Sequence, residues 1–60
     1  MKLNMTEIND IKYIIEVHKA LHGSEGIVEY AIMNDIMRRQ QFKNVDRNLV
    51  VLELKANLNK

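Results

Sequence analysis

Two histidines lie four residues apart in the segment HKALH, a spacing that places both rings on one face of a helix. Imidazoles in this arrangement can share a divalent metal when other side chains complete the site. Residue 19 is Lys, where the zinc-protease motif has its catalytic Glu, so that chemistry is not indicated. A third ligand would have to come from Glu25, Glu29 or a second subunit. We therefore expect neither a metal nor a cofactor, and we interpret His18 as a core-edge residue and His22 as a complement to the helix dipole.

A second group of candidate functional residues is basic and could bind nucleic acid. It begins with the adjacent arginines of the segment MNDIMRRQQFKN. Arg pairs bidentately with guanine, Asn pairs with adenine, and Arg or Lys contacts phosphates. The predicted phosphate contacts are Arg38, Arg39 and Lys43. The predicted base or groove contacts are Arg47, Asn48 and Lys55. The alternative interpretation is a solvated helix end, because cations there complement the helix dipole and favour solubility.

The charges are divided unevenly along the chain. Residues 1–35 carry three lysines against six carboxylates, a formal net charge of −3, whereas residues 36–60 carry six cations against two carboxylates, a net charge of +4. Such an asymmetry can steer an anionic partner, and it can equally draw helices or subunits together.

No pattern in the chain is typical of an enzyme. There is no Cys, and the single Ser, Ser24, belongs to no nucleophile motif. Acid–base catalysis would need carboxylates gathered in a pocket that shifts their pKa values, and 60 residues rarely enclose one. We therefore predict no catalytic residue.

Composition predicts a compact helical domain with a marginal core. The 60 residues are 47% apolar and 28% charged, with two Gly and no Pro, unlike a disordered segment. A chain of this length buries only about 60% of its unfolded surface, and without Cys it has no disulfide to compensate. A partner subunit is then expected. Neither a membrane-spanning run nor a signal-peptide pattern is visible, which predicts a cytoplasmic location and no membrane contact.

Apolar residues recur at helical spacing in three segments, at about 5–22, 27–41 and 45–58, and we predict one all-α, three-helix domain over residues 1–60. Asn4 and Glu7 have the spacing of a capping box, and Gly23 is suited to end the first helix. Asn44 or Asp46 can cap the third. The segment LVVLELKA also alternates like a strand, which would have to pair across a dimer.

The third helix carries two apolar stripes. The first, Val45, Leu49, Leu52 and Ala56, is expected to fill the core. The second is then expected to be exposed and to bind a second copy of the chain or another protein, since exposed apolar surface usually marks an interaction site. The predicted interface residues are Val50, Val51, Leu54 and Leu58. The alternative is a helix buried on both sides.

The segment GIVEYAIMNDIMRRQQFKNVDRNLVVLELKANL, about half the chain, resembles the last two helices of winged-helix DNA-binding domains. It departs from them in having no wing hairpin after the third helix and no Ser or Thr at the start of that helix. The resemblance implies a helix-turn-helix-like arrangement with the third helix in the major groove of double-stranded DNA. The leading hypothesis is a DNA-binding transcription regulator acting as a homodimer, and the alternative is a protein-interaction module such as an inhibitor or adaptor.

Overall fold

The computed structural model describes residues 2–59, which form three α-helices joined by two connections that each contain a short 3-10 turn. No strand is present in these residues, so the all-α prediction is confirmed and the third segment is a helix. The helices are α1 (Met5–His22), α2 (Glu29–Met37) and α3 (Arg47–Leu58), and the 3-10 turns are Ser24–Gly26 and Gln40–Phe42.

The ends of α1 and the start of α3 follow from local hydrogen bonds. The Asn4 side chain accepts from the Glu7 backbone N–H at 2.8 Å, and the Glu7 carboxylate accepts from the Asn4 N–H at 2.9 Å, completing the predicted capping box. Gly23 ends α1 with a φ of 75°, which a residue without Cβ adopts at little cost. Asp46 caps α3 by accepting from the Asn48 N–H at 2.9 Å.

The second helix is shorter than its apolar pattern predicts. Val28 has extended backbone, and α2 begins only at Glu29 rather than at residue 27. At the other end α2 stops at Met37, because Arg39 is extended with a ψ of 143°. Phe42 continues the helical pattern in the sequence but reaches the core from a 3-10 turn. The period of apolar residues therefore did not predict where the helix ends.

The core is made of apolar side chains from all three helices and the second 3-10 turn. Phe42, the only Phe in the chain, is fully buried among isoleucines of α1 and α2. Among residues 2–59 no polar or charged residue is buried. The buried residues are Ile11, Ile14, Ile15, Ile32, Met33, Ile36, Phe42, Val50 and Leu54.

The structure reverses the predicted orientation of α3. Val50 and Leu54 are 0% exposed and lie in the core, and Val51 and Leu58 are half-buried against it, whereas Leu52 is 67% exposed. The expectation that the stripe of Val50, Val51, Leu54 and Leu58 is exposed is therefore wrong. Val50 and Leu54 therefore have no exposed surface for a partner in the folded chain.

The prediction failed because the sequence of a helix with two apolar stripes does not determine which stripe faces the core. The connection that enters α3 selects the stripe: Val45 donates its N–H to the Phe42 carbonyl at 3.2 Å, and Asp46 then fixes the first turn. With Phe42 anchored in the core, Val45 and Leu49 end half-buried and Ala56 is exposed.

Within residues 2–59, none of the helices combines the length and apolar character needed to cross a lipid bilayer.

Candidate nucleic-acid interface

The outer face of α3 is polar at both ends. Arg47 and Asn48 in its first turn and Lys55 two turns later are all exposed. Residues 48 and 55 are separated by about 10 Å along the axis and point in nearly the same direction. Among residues 2–59 none of the three side chains takes part in an ion pair. Their donors are therefore free for base edges or phosphates.

Leu52 occupies the middle of this outer face. It is the most exposed large apolar residue of α3, at 67%. An apolar side chain between polar ones can contact a thymine methyl group in the major groove, or it can meet another protein. The apolar pattern of the sequence predicts Leu52 in the core, and only the orientation of α3 reveals its exposure.

Three predicted phosphate contacts lie at or after the end of α2. Arg38, Arg39 and Lys43 are all exposed. Arg39 differs from the other two because its Nη2 lies 3.4 Å from the Asp35 Oδ1. We therefore expect Arg39 to contribute less to an anion site than Arg38 or Lys43.

The connection between α2 and α3 spans residues 38–46, longer than the turn of about three or four residues in a tight helix-turn-helix. Two contacts hold it on the rest of the fold. Phe42 is inserted into the core, and the Gln41 Nε2 donates to the Asp10 Oδ2 of α1 at 3.3 Å. Residues 2–59 contain no strand, so they lack the wing hairpin of winged-helix domains.

One carboxylate opposes anion binding at this surface. The carboxylate of Asp46 lies next to Arg47 and caps α3. Its effect is separable from its structural role, because Asn caps a helix as well as Asp does.

The histidine pair belongs to a different cluster, which joins α1 to α2. The His18 Nε2 lies 3.0 Å from the Asp35 Oδ2, with the side chains 14% and 27% exposed. Asp35 also accepts a hydrogen bond from Arg39, which lies two residues after the end of α2. The His18 and His22 ring centroids are 6.0 Å apart. No group of three metal-binding side chains forms within residues 2–59. The cluster acts as a clamp between two helices.

Asp35 is the residue of this clamp that sequence analysis missed. Its spacing from Arg39 signals an ion pair on one helix, but its contact with His18 depends on how α1 and α2 pack. The hydrogen bond with His18 is the largest influence lowering the pKa of Asp35 below 3.8; nearby positive charges, led by Arg39, assist and partial burial opposes.

The lowered pKa of Asp35 predicts a pH-dependent contribution to stability. A depressed carboxyl pKa adds stability that is complete above 3.8 and is lost as the pH falls through the folded-state value. We expect Asp35→Asn to lower the free energy of unfolding at pH 7 by about 1 kcal/mol, a modest effect because the pair is partly solvated. The difference from the wild type should shrink as urea titrations are moved to lower pH.

Glu16→Gln is the matched control, since Glu16 pairs with Lys19 at 3.7 Å on the exposed side of α1. Its effect should be near zero throughout. A stability difference for Asp35→Asn that stays constant from pH 7 to below 3.8 would contradict the assignment of the clamp.

Comparisons with protein-family models, curated proteins and solved structures find no match for this chain.

Proposed function

We propose that this protein is a small, non-enzymatic DNA-binding regulator that acts as a cytoplasmic homodimer and lays the outer face of α3 against double-stranded DNA. The observation that carries the proposal is a set of exposed polar side chains along α3, with Asn48 and Lys55 on the outer face and Arg47 at the N-terminal end of the helix. Arg47, Asn48 and Lys55 have the chemistry of base and groove contacts, and the described residues leave them unpaired.

The charge distribution also supports an orientation in which α3 faces the DNA. Residues 36–60 hold a net charge of +4, and the exposed Arg38 and Lys43 precede α3 on a connection that is fixed to the core. Phosphate contacts of this kind set the register of a protein on DNA, while side chains on the helix face read the bases. A homodimer would present two such helices to two half-sites.

The arginines provide the direct test. Replacing Arg38, Arg39 and Arg47 together by Ala should weaken binding to a duplex at least about 10-fold, and the slope of log affinity against log salt should fall by roughly one for each lost phosphate contact. All three side chains are exposed, so the fold should be retained. Fluorescence anisotropy with a labelled duplex measures both quantities.

Two single variants serve as controls. Lys12→Ala removes an exposed cation of α1, outside the proposed surface, and should leave affinity unchanged. Asp46→Asn preserves the α3 cap but deletes the opposing charge, and it should tighten binding several-fold because DNA binding is strongly electrostatic. Equal DNA affinities for the arginine variant and Lys12→Ala would rule out this surface.

The second candidate function is a protein-interaction module such as an inhibitor or adaptor. The exposure of Leu52 favours it, because a large apolar side chain at 67% exposure in the centre of a helix face is available for docking. If this is the function, Leu52→Asp should abolish binding to the partner protein, and the arginine variant should still bind it.

A further inference from the structure

A groove runs between the segment that precedes α1 and the side of α3. It has a volume of about 320 Å³. Four of its lining residues are apolar, and charged residues complete the rim. The lining residues are Lys2, Leu3, Ile8, Leu49, Leu52 and Glu53.

The apolar part of this groove is incompletely covered by the chain itself. Leu3, Ile8 and Leu49 are half-buried, and Leu52 is 67% exposed beside them. The surface therefore combines a partly empty apolar groove with the projecting side chain of Leu52. A second copy of the same surface supplies both the side chain that fills the hollow and the hollow that receives Leu52.

The charges at the groove suit such self-association. Lys2 lies on the wall before α1 and Glu53 on the α3 wall, and within residues 2–59 neither is in an ion pair. The Glu53 carboxylate is held by the Asn57 Nδ2 at 2.7 Å. Across a two-fold axis every contact occurs twice, with the roles of the two copies exchanged. If Lys2 of one copy faces Glu53 of the other, the same symmetry brings the second Lys2 and Glu53 together as well.

The groove and the proposed DNA surface share Leu52 and otherwise lie on different flanks of α3. At 100° per residue, Leu49 and Glu53 lie to one side of Leu52, and Arg47 and Lys55 lie to the other. A copy docked on the first flank covers Leu52 and leaves Arg47 and Lys55 open to DNA.

We propose that this groove is the interface with a second copy of the chain, in a two-fold arrangement in which Leu52 of each copy enters the groove of the other. The proposal rests on the homodimer part of the proposed function and is independent of its DNA-binding part. It replaces the buried stripe of α3 by a surface that the fold leaves accessible.

Sedimentation equilibrium of the full chain tests the interface. Leu52→Asp removes two apolar contacts per dimer, and at about tenfold each we expect the dimer dissociation constant to rise by about 100-fold. Leu21→Asp is the matched control because Leu21 is 72% exposed but lies at the far end of α1, away from the groove. It should dimerise like the wild type. Circular dichroism should show the same helical content for all three proteins.

A charge exchange distinguishes this two-fold arrangement from non-specific association. Lys2→Glu alone gives each groove two anions, and Glu53→Lys alone gives it two cations, so each variant should dimerise more weakly than the wild type. Mixing the two variants should restore association, because the two carboxylates on the groove of one variant then meet the two ammonium groups on the groove of the other. A wild type that is monomeric at all concentrations, equal behaviour of the two Leu variants, or no recovery on mixing would overturn the interface. DNA binding by such a monomer would leave the DNA-binding proposal standing.

Discussion

Replacing Phe42 by Ala is expected to lower the free energy of unfolding by about 3–5 kcal/mol, the usual range for truncating a buried aromatic side chain. Phe42 is 0% exposed and ties the connection between α2 and α3 to the core. At roughly 0.05–0.15 kcal/mol per residue, a domain of this size has a total stability of only about 3–9 kcal/mol. At the middle of both ranges the truncation removes about two thirds of the total stability.

Urea titration followed by circular dichroism measures this effect. Gln41→Ala is the control from the same 3-10 turn, since Gln41 is exposed and makes one long hydrogen bond to Asp10. Its cost should stay below about 0.5 kcal/mol. A cooperative Phe42→Ala transition within about 1 kcal/mol of the wild type would show that the connection is not anchored by this ring.

Leu54→Ala and Leu52→Ala should differ sharply although both shorten a leucine of the same helix. Leu54 is 0% exposed, so its truncation should cost about 2–5 kcal/mol. Leu52 is 67% exposed, and its truncation should change the stability of the monomer by less than about 0.5 kcal/mol. Thermal and urea unfolding at a protein concentration low enough to keep the chain monomeric gives both values.

This pair of variants tests the orientation of α3, on which the whole functional argument depends. If Leu52→Ala proves the more damaging of the two, α3 is rotated and the stripe of Val45, Leu49, Leu52 and Ala56 faces the core after all. Asn48 and Lys55 would then no longer flank the centre of the outer face.

Local signals in the sequence predicted the parts of the fold that local chemistry determines. The capping box of Asn4 and Glu7 and the positive φ of Gly23 depend on residues within a few positions of one another, and both form as expected. The period of apolar residues identified three helices for the same reason.

The remaining features depend on contacts between distant segments. The phase of α3 was ambiguous because two apolar stripes compete, and the anchoring of Phe42 decides between them. The early end of α2 also depends on a distant contact, because Phe42 packs in the core from the 3-10 turn that follows the helix. The His18–Asp35 contact joins residues on two helices, and no spacing along one helix predicts it. The exposed positions of the basic residues were foreseeable, since long charged side chains are seldom buried.

The measurement that tests the central claim most directly is a fluorescence-anisotropy titration of a labelled random-sequence duplex with the wild-type protein over a series of salt concentrations. With Arg38 and Lys43 on phosphates and a smaller contribution from Arg39, log affinity should fall against log salt with a slope between about −2 and −3 for each copy bound. Saturable binding that weakens in this way is the predicted result. Absence of binding at the lowest salt, or an affinity that salt does not change, would contradict DNA binding by α3 and direct the search to protein partners of the exposed Leu52.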